Sequence, residues 1–287
     1  MIERSIVFGP GEGLVGTLCL PAEPAAGRAP VGQILFNAGV IHRVGPHRFN
    51  VRLARILARR GIPSLRFDLS GHGDSARSNG RLSYEAQAIA DLRCAMDALG
   101  AGSEAARFAL FGYCSGATHA YETALADERV AAVLMFDNFQ YPTLRTRLNS
   151  YRARLRRRGF AHALAGWTSR QAAGLPQRIA AAWRPNGTVA AWAGFPPKQQ
   201  FAENAKRLHA RGVKLGFLYS TSFEEYYNYQ AQFADAFRGF GLDRIAHWEY
   251  MPELDHNALL VATQAKLMDR IERFVTQVDR DLRMAEA

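Results

Sequence analysis

The stretch Phe111-Gly112-Tyr113-Cys114-Ser115-Gly116-Ala117 joins a β-rich apolar run, Arg107–Phe111, directly to a helical one, Ser115–Asp127. A small-x-nucleophile-x-small pattern at such a junction lets the backbone turn sharply. The small residues are needed because the flanking positions press against the neighbouring strand and helix. Gly112 and Gly116 bracket Cys114, whereas centring the pattern on Ser115 would put Tyr113 and Ala117 in the small positions. A tyrosine does not fit there. Cys114 is therefore the expected nucleophile, with its thiolate favoured at a helix N-terminus. The competing reading, a buried apolar cysteine between packing glycines, sits poorly with the strand-to-helix context.

Outward from this turn, strands and helices alternate. Ser5–Phe8 and Leu14–Leu20 flank a GPGEG turn and form an opening hairpin. Val31–Phe36, Ser64–Phe67, Val130–Phe136, Val213–Tyr219 and Arg244–Tyr250 complete the strand series. Helices are expected at Arg48–Arg60, Tyr84–Leu99, around Gln200–Ala210, around Glu225–Phe237 and over the C-terminal run, where Leu267, Ile271, Phe274, Val275 and Val278 keep helical spacing. Such alternation implies a mainly parallel sheet covered on both faces, an α/β architecture in one domain spanning 1–287.

Composition narrows the function classes. No stretch approaches the roughly 20 apolar residues of a membrane span. The N-terminal MIERSIVFGPGEG lacks the apolar run of a signal peptide, so a mature, cytoplasmic protein is expected. Cys19, Cys94 and Cys114 are too few and scattered for a disulfide framework or a zinc site. With no metal-ligand cluster and no dinucleotide glycine motif, no cofactor is expected. The net charge of +10 is concentrated. Residues 141–198 hold ten arginines and one lysine with no acid, while the rest has 25 basic against 26 acidic residues.

At this point the chain resembles the α/β-hydrolase superfamily over nearly its whole length. Arg66-Phe67-Asp68-Leu69-Ser70-Gly71-His72-Gly73-Asp74-Ser75 is similar to the family's strand followed by a D-x-x-G-x-G-x-S loop. Phe36-Asn37-Ala38-Gly39-Val40 sits where the family carries its H-G-type oxyanion loop, with Asn37 in place of the usual His. Arg43-Val44-Gly45-Pro46-His47-Arg48, followed by the F-D-x-x-G-x-G-D-S loop, more narrowly resembles hydrolases associated with exosortase systems. The resemblance implies an eight-stranded sheet, a backbone oxyanion hole near Gly39 or Val40 and at Ser115, and a triad ordered nucleophile, acid, histidine.

His256, in Pro252-Glu253-Leu254-Asp255-His256-Asn257 between the last strand and last helix, occupies the family's place for the base. The acid is expected within a few residues of Val213–Tyr219, where the sequence reads Ser220-Thr221-Ser222-Phe223-Glu224-Glu225. Glu224 is the first choice and Glu225 the second, although Ser222 and Glu225 also fit a helix capping box. Asp137, directly after Val130–Phe136, is the rival. Asp68 and Asp74 are expected to order their own loop.

The arginine-rich block falls where the family inserts a cap, about 139–198. Leu144, Leu148, Tyr151 and Leu155 recur on one face of a helix over Thr143–Arg158, so the apolar side is expected to pack down and the arginines to face solvent. Arg154, Arg156 and Arg157 are candidate contacts for an acidic acyl-carrier protein, a CoA phosphate or an anionic surface. Nucleic acid is disfavoured because no recognition motif accompanies the charge. Trp167, Trp183, Trp192 and Phe195 fit the lining of an apolar acyl pocket. Acyl-enzyme chemistry on Cys114 is the expected function, as hydrolysis of an ester or thioester or as acyl transfer between thiols.

Overall fold

The computed structural model describes residues 1–23, 31–37, 39–158, 195–258 and 260–285. Eight strands form one sheet: β1 (Ile2–Phe8), β2 (Leu14–Leu20), β3 (Gly32–Leu35), β4 (Ser64–Phe67), β5 (Phe108–Tyr113), β6 (Val130–Phe136), β7 (Lys214–Tyr219) and β8 (Ala246–Tyr250). Their order is β1-β2-β4-β3-β5-β6-β7-β8. The opening hairpin pairs antiparallel with itself and with β4, and every pairing from β4 to β8 is parallel. Beyond the hairpin, β5 and β6 are buried along their whole length, as a parallel sheet covered on both faces requires.

The helices divide between the two faces. α1 (Phe49–Arg59) and α7 (Val261–Ala285) cover one face with Leu53, Leu57, Leu267, Met268, Ile271 and Val275. α2 (Tyr84–Ser103), α3 (Ser115–Ala126) and α5 (Lys198–Ala210) cover the other, with Leu92, Met96, Ala120, Tyr121, Phe201 and Leu208 among the buried contacts. Successive residues of β5 alternate between these layers. Phe108 and Leu110 join one, and Ala109, Phe111 and Tyr113 join the other.

Two expectations are corrected. Only α6 (Gln232–Ala236) forms within 225–237. Ahead of it the Asn228 N–H donates to Gln232 Oε1 (3.0 Å) and Tyr227 stacks on Tyr219 at 3.9 Å, contacts that replace a continuous helical ladder. The second concerns α4 (Leu144–Arg158), which packs with the opposite orientation. Thr146 and Ser150 are its buried side, while Leu144, Leu148 and Tyr151 are exposed. Polar bonds hold the inner face: Ser150 Oγ donates to the Glu224 carbonyl (3.1 Å), and Asn228 Nδ2 to the Thr146 carbonyl (3.0 Å). Residues 159–194 of the expected cap, with Trp167, Trp183 and Trp192, lie outside the described residues.

Candidate active site

The junction between β5 and α3 turns at Cys114, whose backbone has φ 53° and ψ −124°. Positive φ at a non-glycine residue carries strain, which persists only where the surroundings impose it. The flanking glycines are what allow it. A Cβ on Gly112 would lie 2.3 Å from Ala117 Cα, and one on Gly116 would lie 2.9 Å from the Asn37 carbonyl oxygen. Asn138 braces the turn from β6, its Nδ2 donating to the Cys114 carbonyl and, at 3.3 Å, to Thr118 Oγ1.

Cys114 and His256 each shift the other's titration. The hydrogen bond to His256 lowers the Cys114 thiol below its ordinary 9.0; burial opposes this, and the Ser115 backbone N–H also favours the thiolate. Burial works against a charged His256, but hydrogen bonds to Asp137 and Cys114 outweigh it and push the imidazole up to about 9. The two shifts together favour a thiolate–imidazolium pair. The other cysteines go the opposite way: burial raises Cys19 to about 11 and also raises Cys94.

The carboxylate that meets His256 is Asp137. Its Oδ2 lies 2.9 Å from His256 Nδ1 and accepts from Ser220 Oγ (2.6 Å), while Oδ1 accepts from the Ser220 N–H (2.6 Å). Its side chain is fully buried. Ser220 follows β7 at the position where an acid was sought, so this serine supports a carboxylate arriving from β6. The structure thus brings Asp137, the rival acid, to His256 and does not bring Glu224 there. Glu224 and Glu225 line a separate cavity of about 410 Å³ with Arg152, Arg154 and Arg156 of α4. Arg154 and Arg156 are exposed, and Arg157 lies on the same helix.

His256 is held on further sides. Its backbone N–H donates to Ser222 Oγ. Its ring lies 5.1 Å from that of Tyr113 and 4.9 Å, edge-on, from that of Phe223. Ser220, Asn138 and Phe223 escaped sequence reasoning, and Ser222 was read only as a helix cap. Only Ser220 had a local signal, its position immediately after β7.

Across the mouth, the Gly39 N–H donates to Ser115 Oγ at 3.0 Å, which brings the loop after β3 onto the first residue of α3. Val40 beside it is 86% exposed, so Gly39 is the residue of the pair whose N–H meets the turn. Asn37 anchors this loop by donating to Asp68 Oδ1 (3.0 Å) and the Ile41 carbonyl (2.7 Å) and accepting the Leu69 N–H (2.6 Å). Asp68 does more than order its own loop: it also binds the Arg43 N–H (2.6 Å) and guanidinium (2.5 Å). His42, Asp68 and Asp74 converge, and the Arg43 guanidinium bonds both carboxylates, supplying positive charge within that cluster.

A strained cysteine between two obligatory glycines, at the end of the central strand of this sheet, completes the pattern. The chain belongs to the alpha/beta hydrolase family, whose sequence profile matches residues 38–284. Solved structures with this fold include a hypothetical protein of Pseudomonas aeruginosa, 17% identical over 96% of this chain and 93% of that one, with a TM-score of 0.58. An esterase of Pyrococcus furiosus is 11% identical over 97% and 91%, with a TM-score of 0.58. A proline iminopeptidase of Mycobacterium smegmatis is 15% identical over 98% and 100%, with a TM-score of 0.55. At these identities the likeness is one of fold. No curated protein gives a significant sequence match to this α/β-hydrolase. Among the described residues no helix is long and apolar enough to cross a membrane.

Proposed function

We propose that this α/β-hydrolase cleaves an ester or thioester through an acyl-enzyme on Cys114. The observation that carries the reading is the His256 imidazole bonded at 2.9 Å to the buried Asp137, beside a strained Cys114 whose thiol it lowers. The thiolate attacks the acyl carbonyl while the Ser115 N–H and an N–H of the Gly39–Val40 loop stabilise the oxyanion. As the tetrahedral adduct collapses, His256 gives its proton to the departing alkoxide or thiolate, leaving the acyl group on sulfur as a thioester. His256 then takes a proton from water, hydroxide adds to the thioester, and the acid departs as the Cys114 thiolate is restored. Asp137 orients Nδ1–H and stabilises the imidazolium.

Acyl exchange between two thiols is close to thermoneutral, so the same intermediate suits transfer to a carrier or CoA thiol. The exposed Arg154 and Arg156 of α4, with Arg157 on the same helix, are the candidate contacts for such an acidic partner. The narrower likeness to exosortase-associated hydrolases is consistent with either outcome. Incubation with a panel of acyl thioesters, with and without holo carrier protein, separates them by product. Free acid released in proportion to enzyme supports hydrolysis, and acylated carrier without free acid supports transfer. Turnover undiminished in Cys114→Ala would overturn the proposal.

A further inference from the structure

Tyr113 and Phe136 are the last residues of β5 and β6, and they are register partners across that parallel pair. Register partners point to the same side of a sheet. Here it is the side covered by α1 and α7, to which Met251, Leu254 and Ala258, around His256 in the chain, also belong. The two rings lie 5.3 Å apart. The His256 imidazole lies 5.1 Å from Tyr113 and 6.3 Å from Phe136, tilted 32° and 14° from their planes. Cys114 follows Tyr113, and Asp137 follows Phe136. Both break from their strands with left-handed backbones, φ 53° and 52°, and the Cys114 N–H donates to the Phe136 carbonyl at 3.0 Å. The residues that precede the proposed nucleophile and acid thus form one aromatic surface against the base that joins them.

We propose that Tyr113, backed by Phe136, is a positioning residue whose ring holds the imidazole plane toward Asp137 and Cys114 and stabilises its charged form; this rests on the acyl-enzyme reading above. An aromatic face carries partial negative charge and attracts a cation within about 6 Å of its centroid, a range that Tyr113 meets. Phe136 lies just beyond that range and contributes through its contact with Tyr113. The ring rather than the hydroxyl carries the role, because the hydroxyl is buried with no hydrogen-bond partner among the described residues. The charged groups that act on the imidazole are Asp137 and Cys114. Asp255, its neighbour in the chain, acts on Tyr113, and the uncharged Phe223 meets the imidazole edge-on at 4.9 Å. Ordinary core packing would make Tyr113 matter for stability and leave the titration of His256 alone.

The test is NMR titration of His256 in protein labelled with carbon-13 at histidine Cε1, alongside the pH profile of Cys114 alkylation by iodoacetamide. Tyr113→Leu, which fills the space without an aromatic face, is expected to lower the imidazole pKa by about 0.5–1.5 pH units and move the alkylation profile to higher pH. The same free energy expressed as a rate lowers kcat/KM on a p-nitrophenyl ester by about 3- to 30-fold. Tyr113→Phe keeps the ring and should stay within about twofold of the parent. Tyr113→Met carries the leucine expectations should that variant fail to fold. Phe49→Leu removes another buried ring of the same layer, one that meets Phe111 at 5.9 Å, and should lower the melting temperature with the His256 titration unaltered. A parent-like His256 titration in Tyr113→Leu, or a loss in Tyr113→Phe equal to that in Tyr113→Leu, would overturn the proposal. Failure of the parent to acylate Cys114, with the titrations as expected, would instead remove the acyl-enzyme reading and leave the ring contact standing.

Discussion

Asp137→Asn preserves size while removing one charge and reversing one hydrogen bond. Asp137 accepts three hydrogen bonds, two from Ser220 at 2.6 Å and one from His256 at 2.9 Å. Asn offers one oxygen and one NH₂ group. The buried Ser220 N–H claims the oxygen, because leaving it unpaired costs about 1–3 kcal/mol. The amide nitrogen then faces His256 Nδ1 and forces that atom to accept. The imidazole proton moves to Nε2, where it points at Cys114 and cannot receive the thiol proton. Burial, which already opposes the imidazolium, is left without its strongest counterweight, so the imidazole falls from about 9 and the ion pair with the thiol weakens. Wrong tautomer and lost ion pair together should lower kcat/KM by about 10²–10⁴-fold, or ~3–5 kcal/mol at 1.36 kcal/mol per tenfold. The assay is hydrolysis of a p-nitrophenyl ester from pH 5 to 10, with circular dichroism confirming the fold. Glu224→Gln, measured alongside, should stay within about threefold of the parent. Asp137→Asn near parent activity, or an equal loss in Glu224→Gln, would refute the assignment.

Other perturbations have separate signatures. In His256→Ala only burial and weaker contacts act on Cys114, so its thiol should return to 9.0 or above; iodoacetamide alkylation at pH 7 should collapse, since a thiol at that value is about 1% ionised. Because His256 is raised from 6.5 to about 9, the stability its charge contributes is full below 6.5 and is lost as pH rises through 9; thermal melts of parent and His256→Ala should converge above that value. Gly112→Ala places a methyl 2.3 Å from Ala117 Cα and should cost at least ~1–3 kcal/mol, read as a lower denaturation midpoint. Neutralising Arg154 and Arg156 should raise KM for a carrier-bound acyl donor and flatten its salt dependence while leaving small-ester hydrolysis unaltered; equal KM and salt slope would make these arginines a solvated helix face.

The sequence made some features legible and hid others for physical reasons. The turn at Cys114 is local. Its meaning rests on residues two positions either side, and the contacts a Cβ would make at Gly112 and Gly116 explain why no larger residue fits. The alternation of strands and helices is equally local, and it gave the sheet. The sequence did not decide between Glu224 and Asp137 because the acid's identity is a tertiary relation. Asp137 and His256 are 119 residues apart, and spacing alone could not show that Ser220 holds a carboxylate arriving from the preceding strand. The orientation of α4 failed similarly. Periodicity reveals that a helix has two faces, but the inward one was chosen by hydrogen bonds from Ser150 and Asn228, with Leu144 and Leu148 left outside. Likewise the turn ahead of α6 depends on the Gln232 side chain capturing the Asn228 N–H, which no propensity anticipates.

The most direct test of the central claim is intact-mass spectrometry of the protein quenched in acid during turnover of an acyl thioester, followed by peptide mapping. The account predicts one acyl increment on Cys114, released by hydroxylamine, absent in Cys114→Ala and accumulating in a variant slowed in deacylation. Turnover with no increment on Cys114, or an increment that persists in Cys114→Ala, would contradict it.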